Sequence, residues 1–160
     1  MEATWSKIVD NNWELYHVGL IVKDLDKTID YYQSLGLISG FQETPPLTPV
    51  RATMTVHTEN GDVPYVSSKV KILRIGPLPI EMIQPGEGSN NANAEFLASK
   101  GDGVAHFGFI VDDLEAETAK LVEKGIKVVF SAKRQDGKVT MRYFDVREYG
   151  NILLELVERR

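Results

Sequence analysis

The sequence predicts an α+β fold made of two tandem βαβββ modules. Three observations carry this reading. A segment beginning at His17 reappears at His106, each copy runs from an apolar strand into a capped helix, and strand-like segments follow each helix. His17-Val-Gly-Leu-Ile-Val-Lys-Asp24-Leu25-Asp26 matches His106-Phe-Gly-Phe-Ile-Val-Asp-Asp113-Leu114-Glu115 at a constant offset of 89 residues, held without a gap to Gly36 and Gly125. Self-similarity of this kind marks a duplicated supersecondary unit.

Each element has a local reason. His17 to Val22 and His106 to Val111 are apolar and β-rich, the pattern of a buried strand. Asp24 and Asp113 follow where a helix N-cap belongs, accepting from free backbone N–H groups. Leu25, Ile29 and Tyr32 repeat at spacings of four and three, as do Leu114, Thr118 and Leu121, so each set lines one helix face. Gly36 and Gly125 come just after, where a left-handed C-terminal cap favours glycine. Further strands are expected over Ser68 to Ile75 and Pro79 to Gln84 in the first half. In the second they are expected over Ile126 to Ser131, Val139 to Val146 and Ile152 to Glu158, with a hairpin at Asp136-Gly137.

The organisation is one domain with a first module over 14–85, a linker over 86–102 holding a short helix near Ala94 to Ser99, and a second module over 103–158. The halves differ at Glu43 to Tyr65, a long excursion rich in proline, in which Val50 to Thr58 could form a strand. Long loops of this sort often cover a site, although a surface excursion without a role fits equally.

Composition excludes several function classes. The chain of 160 residues has no cysteine, so disulfides, thiolate catalysis and cysteine-bound metal are ruled out. A reducing cytoplasm is the expected location. No apolar run reaches the roughly 20 residues that span a bilayer, and Met1 to Trp13 lacks the basic start and apolar core of a secretory signal. The net charge of −5 and the absence of a long basic cluster argue against a nucleic-acid partner. Lys133, Arg134, Lys138 and Arg142 form a loose basic group, read as a solvated hairpin or as attraction for an anionic substrate tail.

Four polar groups stand where apolar ones belong. Glu81 lies in Leu78-Pro-Ile-Glu-Met-Ile and Glu155 in Ile152-Leu-Leu-Glu-Leu-Val. A carboxylate buried in such a run is costly unless it is paired, protonated or bound to metal. His17 and His106 open apolar strands at repeat-related positions, and each glutamate closes its half. Single residues of this kind are usually structural. Their recurrence as two matched pairs points to a shell for one divalent ion, nickel, cobalt, manganese or zinc, made by His17, Glu81, His106 and Glu155. The third histidine, His57, beside Thr58, Glu59 and Asn60, is read as a surface residue.

These residues resemble the vicinal oxygen chelate superfamily, the glyoxalase, bleomycin-resistance and extradiol-dioxygenase group, over Leu15 to Glu158. The resemblance implies a cup-shaped, partly open eight-stranded barrel around a metal held by the same four residues. Ile80-Glu-Met-Ile-Gln-Pro85, Phe96-Leu97, Gly101-Asp-Gly103-Val-Ala-His106 and Leu153-Leu-Glu155-Leu-Val-Glu158 are most similar to methylmalonyl-CoA epimerases and, more broadly, lactoylglutathione lyases. There are departures. Ala105-His106 stands where epimerases show a His-His pair, and Phe144-Asp145 where they tend to have His-Pro. Tyr65-Val-Ser-Ser68 lacks the acidic residue that they commonly carry there and that could serve as a proton-transferring base.

The resemblance implies a metal-dependent lyase or isomerase that moves a proton at the carbon beside a chelated carbonyl of a small carbonyl or thioester substrate, with Glu155 or Glu81 as base. Two alternatives stay open. One is a non-catalytic drug-binding protein of the same fold. The other is an extradiol dioxygenase, for which a fourth protein ligand would crowd the open positions on iron. An open sheet of this fold also leaves surface for a homodimer.

Overall fold

The computed structural model describes residues 11–42 and 53–159. Among these residues ten strands form one sheet, with three helices. In chain order the elements are β1 (Glu14–Ile21), α1 (Leu25–Ser34), β2 (Ile38–Phe41), β3 (Thr53–Thr58), β4 (Gly61–Pro64), β5 (Lys69–Ile75) and β6 (Leu78–Gln84). There follow α2 (Ala92–Lys100), β7 (Gly103–Val111), α3 (Leu114–Glu123), β8 (Lys127–Lys133), β9 (Val139–Asp145) and β10 (Leu153–Glu158).

The strand order is β2-β5-β6-β1-β7-β10-β9-β8-β3-β4. Strands β1 and β7 meet antiparallel in the middle. Outward from that seam the two sides agree: β1 pairs in parallel with β6, and β7 in parallel with β10. Antiparallel neighbours β5 then β2, and β9 then β8, complete each side.

Both repeated helices are capped as their sequences dictate. Asp24 accepts from the Lys27 backbone N–H and Asp113 from that of Ala116. Gly36 and Gly125 have φ of 71° and 81°, just past the last turns. Leu25 of α1 is buried in a cluster with Val18, Leu73, Ile80 and Met82, onto which Ile29 and Tyr32 also pack. Leu114 of α3 is buried with Val111, Phe144 and Leu156, and Leu121 joins it. A third cluster, Val56, Phe130, Ala132, Tyr143 and Leu153, lies on the other face of the sheet. No helix among the described residues is long and apolar enough to cross a membrane.

Four expectations need correction. The sheet has ten strands rather than eight. The extra pair is the β3–β4 hairpin, which turns part of the expected excursion into structure and extends β8 at its edge. Thr53 to Thr58 alternates, Val56 is buried, and β8 offers unpaired backbone groups. Pro64 is tolerated because β4 is an edge strand. The part of the excursion over 43–52, and residues 1–10 of the amino-terminal stretch, lie outside the described residues. The two histidines do not open their strands but occupy the fourth position of each, because the β1–β7 pairing begins before them, at Glu14 in β1 and at Gly103 in β7. His57, read as a surface residue, is half-buried in β3 and bonded to Asp62 and Ser131. Finally, α2 is longer than expected and sends Phe96 and Leu97 onto Ile21, Ile83 and Ala105.

Candidate metal centre

Cross-strand register brings the four expected ligands together. Gly19 of β1 stands between Glu81 of β6 and His106 of β7. Gly108 of β7 stands between His17 of β1 and Glu155 of β10. The two rows are adjacent, so two imidazoles and two carboxylates crowd one patch of the central strands. One ligand atom from each of the four residues lies within 4.8 Å of all the others.

The glycines leave the room that this crowding needs. A Cβ built on Gly19 would overlap the His106 ring. One on Gly108 would lie 2.7 Å from His17 Nε2 and 2.9 Å from Glu155 Oε2. These two glycines are themselves repeat-related, two residues after each histidine. Each half therefore supplies a histidine and the gap into which the other half's histidine leans.

Within the cluster, His17 Nε2 is 2.7 Å from Glu155 Oε2 and 3.3 Å from Glu81 Oε2. His106 Nε2 is 3.3 Å from Glu81 Oε2 and 3.4 Å from Glu155 Oε2. The two Nε2 atoms are 3.1 Å apart. His17, His106 and Glu155 are buried, whereas 19% of the Glu81 side chain is exposed, so Glu81 is the member that solvent reaches. Both Oε2 atoms and both Nδ1 atoms lack a hydrogen-bond partner of good alignment among the described residues. Buried acceptors that converge without aligned donors fit a shared cation.

Electrostatics agree with that fit. Burial opposes charge on His17, but the Glu155 and Glu81 carboxylates outweigh it and raise the imidazole to about 10. His106 is raised in the same way. Burial would raise both carboxyls, yet the two imidazoles hold Glu81 and Glu155 below their ordinary values. Without metal, a cationic His17 imidazole therefore stands against the two carboxylates at neutral pH. Coordination needs the neutral imidazole, so binding must expel protons. Because the His17 value in the metal-free protein lies above neutrality, metal affinity should fall steadily as pH drops below about 10. Titration calorimetry at pH 7 in buffers of different ionisation enthalpy should register proton release, and affinity independent of pH would refute this.

Tyr143 is a member of the site that sequence reasoning missed. It stands opposite Glu155 in the β10–β9 register. Its hydroxyl is 3.5 Å from His106 Nε2 and its ring meets the His106 ring edge-on at 5.1 Å. Burial, with Glu155 and Glu81 nearby, pushes the phenol well above 10, so it stays neutral and able to donate. Strand alternation placed it on the face of Glu155, but an aromatic in an apolar strand carries no signal that separates it from core. The corresponding neighbour of Glu81 is Ile72, so the phenol breaks the symmetry of the two halves.

The basic group divides differently. Arg134 pairs with Asp136, Lys138 with Glu158 and Arg142 with Glu115. Arg142 alternates with Tyr143 and so lies on the sheet face away from the cluster, out of position for the tail of a substrate held there.

The fold has a family behind it. Residues 16–144 match the model of the Glyoxalase/Bleomycin resistance protein/Dioxygenase superfamily, and the chain belongs to that superfamily. Among solved structures it is similar to a hypothetical protein from Bacillus halodurans, with 21% identity, a TM-score of 0.61, and coverage of 94% of this chain and 96% of that one. The methylmalonyl-CoA epimerase from Mycobacterium tuberculosis is 23% identical at a TM-score of 0.57, covering 91% of this chain and 87% of that one. A methylmalonyl-CoA epimerase in complex with methylmalonyl-CoA and NH4+ is 22% identical at a TM-score of 0.60, covering 91% and 94%. At these identities the likeness establishes the fold. No curated protein matches the chain.

Proposed function

We propose that this chain is a metal-dependent isomerase or lyase of the glyoxalase and methylmalonyl-CoA epimerase type. In this reading the two halves are βαβββ modules, over 14–85 and 103–158, whose sheet curves as a cup around one divalent ion. The observation that carries the proposal is the convergence of His17, Glu81, His106 and Glu155 on one sheet face. A set of two imidazoles and two carboxylates without thiolate suits nickel, cobalt, manganese or zinc.

A bound divalent ion would supply Lewis-acid stabilisation of negative charge on a substrate oxygen. The chain's own residues must move the proton. Glu81, the carboxylate that solvent reaches, would take the proton from the carbon beside a carbonyl, with Glu155 as the second candidate base. The missing acid near Ser67 and Ser68 leaves these two to do that work. Tyr143 would donate a hydrogen bond toward negative charge near His106. An epimerase of this fold solved with methylmalonyl-CoA supports a thioester as one substrate class, and a hemithioacetal is the other.

The test is the full chain reconstituted with each of the four ions in deuterated water, given a hemithioacetal or an acyl-CoA thioester. Proton NMR should show metal-dependent loss of the signal from the carbon beside the carbonyl. Tight ligand binding with neither exchange nor turnover on either class would favour a non-catalytic binding protein instead.

A further inference from the structure

The sheet face opposite the metal cluster carries a second constellation. His57 alternates with Val56, and Ser131 with Phe130; Val56 and Phe130 belong to the cluster on the metal side, so His57 and Ser131 face away from it. Register sets His57 opposite Asp62, Thr55 opposite Ser131 and Ser131 opposite Arg142. Asp62, His57, Ser131, Lys133 and Arg142 line an open groove of about 640 Å³ beside Thr118 of α3.

The hydrogen bonds there have one polarity. His57 Nδ1 is 2.8 Å from Asp62 Oδ1, and His57 Nε2 is 2.9 Å from Ser131 Oγ. An ionised carboxylate only accepts, so Nδ1 carries the proton and donates to Asp62. In the neutral imidazole Nε2 is then the acceptor for the Ser131 hydroxyl. An orienting acid, a base and a nucleophile thus stand in line at the distances such a relay requires. A tether joining the hairpin to β8 would need neither this order nor an open groove in front of the serine.

We propose that Ser131, His57 and Asp62 form a second site that hydrolyses small carboxylic esters without metal. Ser131 Oγ attacks the carbonyl carbon while its proton passes to His57 Nε2. The bond from that carbon to the alcohol oxygen breaks, and the alcohol leaves with the proton from His57. Water then attacks the acyl-serine and gives a proton to His57. The carbon–Oγ bond breaks, Ser131 recovers the proton, and the carboxylic acid departs. Charge on the carbonyl oxygen during both attacks develops in a groove that holds the guanidinium of Arg142 and the ammonium of Lys133, which makes no ion pair among the described residues. This site does not rest on the metal-dependent reading.

The test uses the full chain treated with chelator, p-nitrophenyl acetate as substrate and a fluorophosphonate as covalent probe. Hydrolysis should exceed that by free imidazole at equal concentration, and the phosphonyl adduct should map to Ser131. Ser131→Ala, and separately His57→Gln, should lower the rate about a hundredfold, in the range that a general base contributes. An adduct elsewhere, no reaction of the wild-type chain, or a wild-type rate in folded Ser131→Ala would overturn the proposal. Labelling of the unmodified chain decides the question even if the variants disturb the hairpin.

Discussion

Glu81→Gln and Glu155→Gln, made separately, should leave the protein folded and cut turnover by about a hundredfold to ten-thousandfold for whichever carboxylate takes the proton. Glutamine is nearly isosteric, so β6 and β10 keep their packing around Met82, Ile83, Leu153 and Leu156. What disappears is the capacity to accept a proton and one negative charge at the cluster. The two variants should differ. Glu81 is 19% exposed and open to solvent, whereas Glu155 is 3% exposed and sits 2.7 Å from His17. The loss of turnover should therefore be larger in Glu81→Gln, and that of metal affinity larger in Glu155→Gln. Steady-state kinetics with metal analysis separates the effects. If both variants turn over at the wild-type rate, the proton-transfer mechanism fails.

Gly19→Ala should act almost as strongly through packing alone. The added methyl group would occupy the space of the His106 imidazole, which is fully buried and hemmed in by Tyr143. Either the ring turns away or the β1–β7 seam parts. Overpacking of this kind costs about 1–3 kcal/mol of stability. Misplacing a ligand should lower metal affinity about tenfold to a hundredfold, as disturbing the supports of a metal ligand typically does. Gly108→Ala should behave alike through His17 and Glu155. Thermal melts and metal titrations read the two effects separately. Wild-type affinity in both variants would mean that the histidines are not held against these glycines.

The halves of the site differed in how legible they were from sequence. The convergence of the four candidate ligands was readable because polar residues in apolar strands violate the local pattern, and because the repeat presents each violation twice. The α1 and α3 caps were readable from Asp24, Asp113, Gly36 and Gly125, whose roles depend on neighbours close in the chain. The role of Gly19 and Gly108 was not, although both lay inside the quoted repeat. A glycine in a strand signals a close approach without saying by what, and the approaching group is a histidine of the other half, His106 for Gly19 and His17 for Gly108. The β3–β4 hairpin was obscured by the prolines around it and by a partner, β8, far along the chain. His57 belonged to the same segment, so its bonds to Asp62 and Ser131 depended on a pairing that local pattern does not encode.

The central claim is that these four residues hold one ion. The most direct measurement is metal content and binding stoichiometry of the purified chain, stripped with chelator and reconstituted with nickel, cobalt, manganese or zinc, beside the His17→Ala/His106→Ala double variant. The account predicts about one ion per chain in the wild type and none retained by the double variant under the same wash. A wild-type chain that binds no ion, or a double variant that binds as well as the wild type, would contradict it.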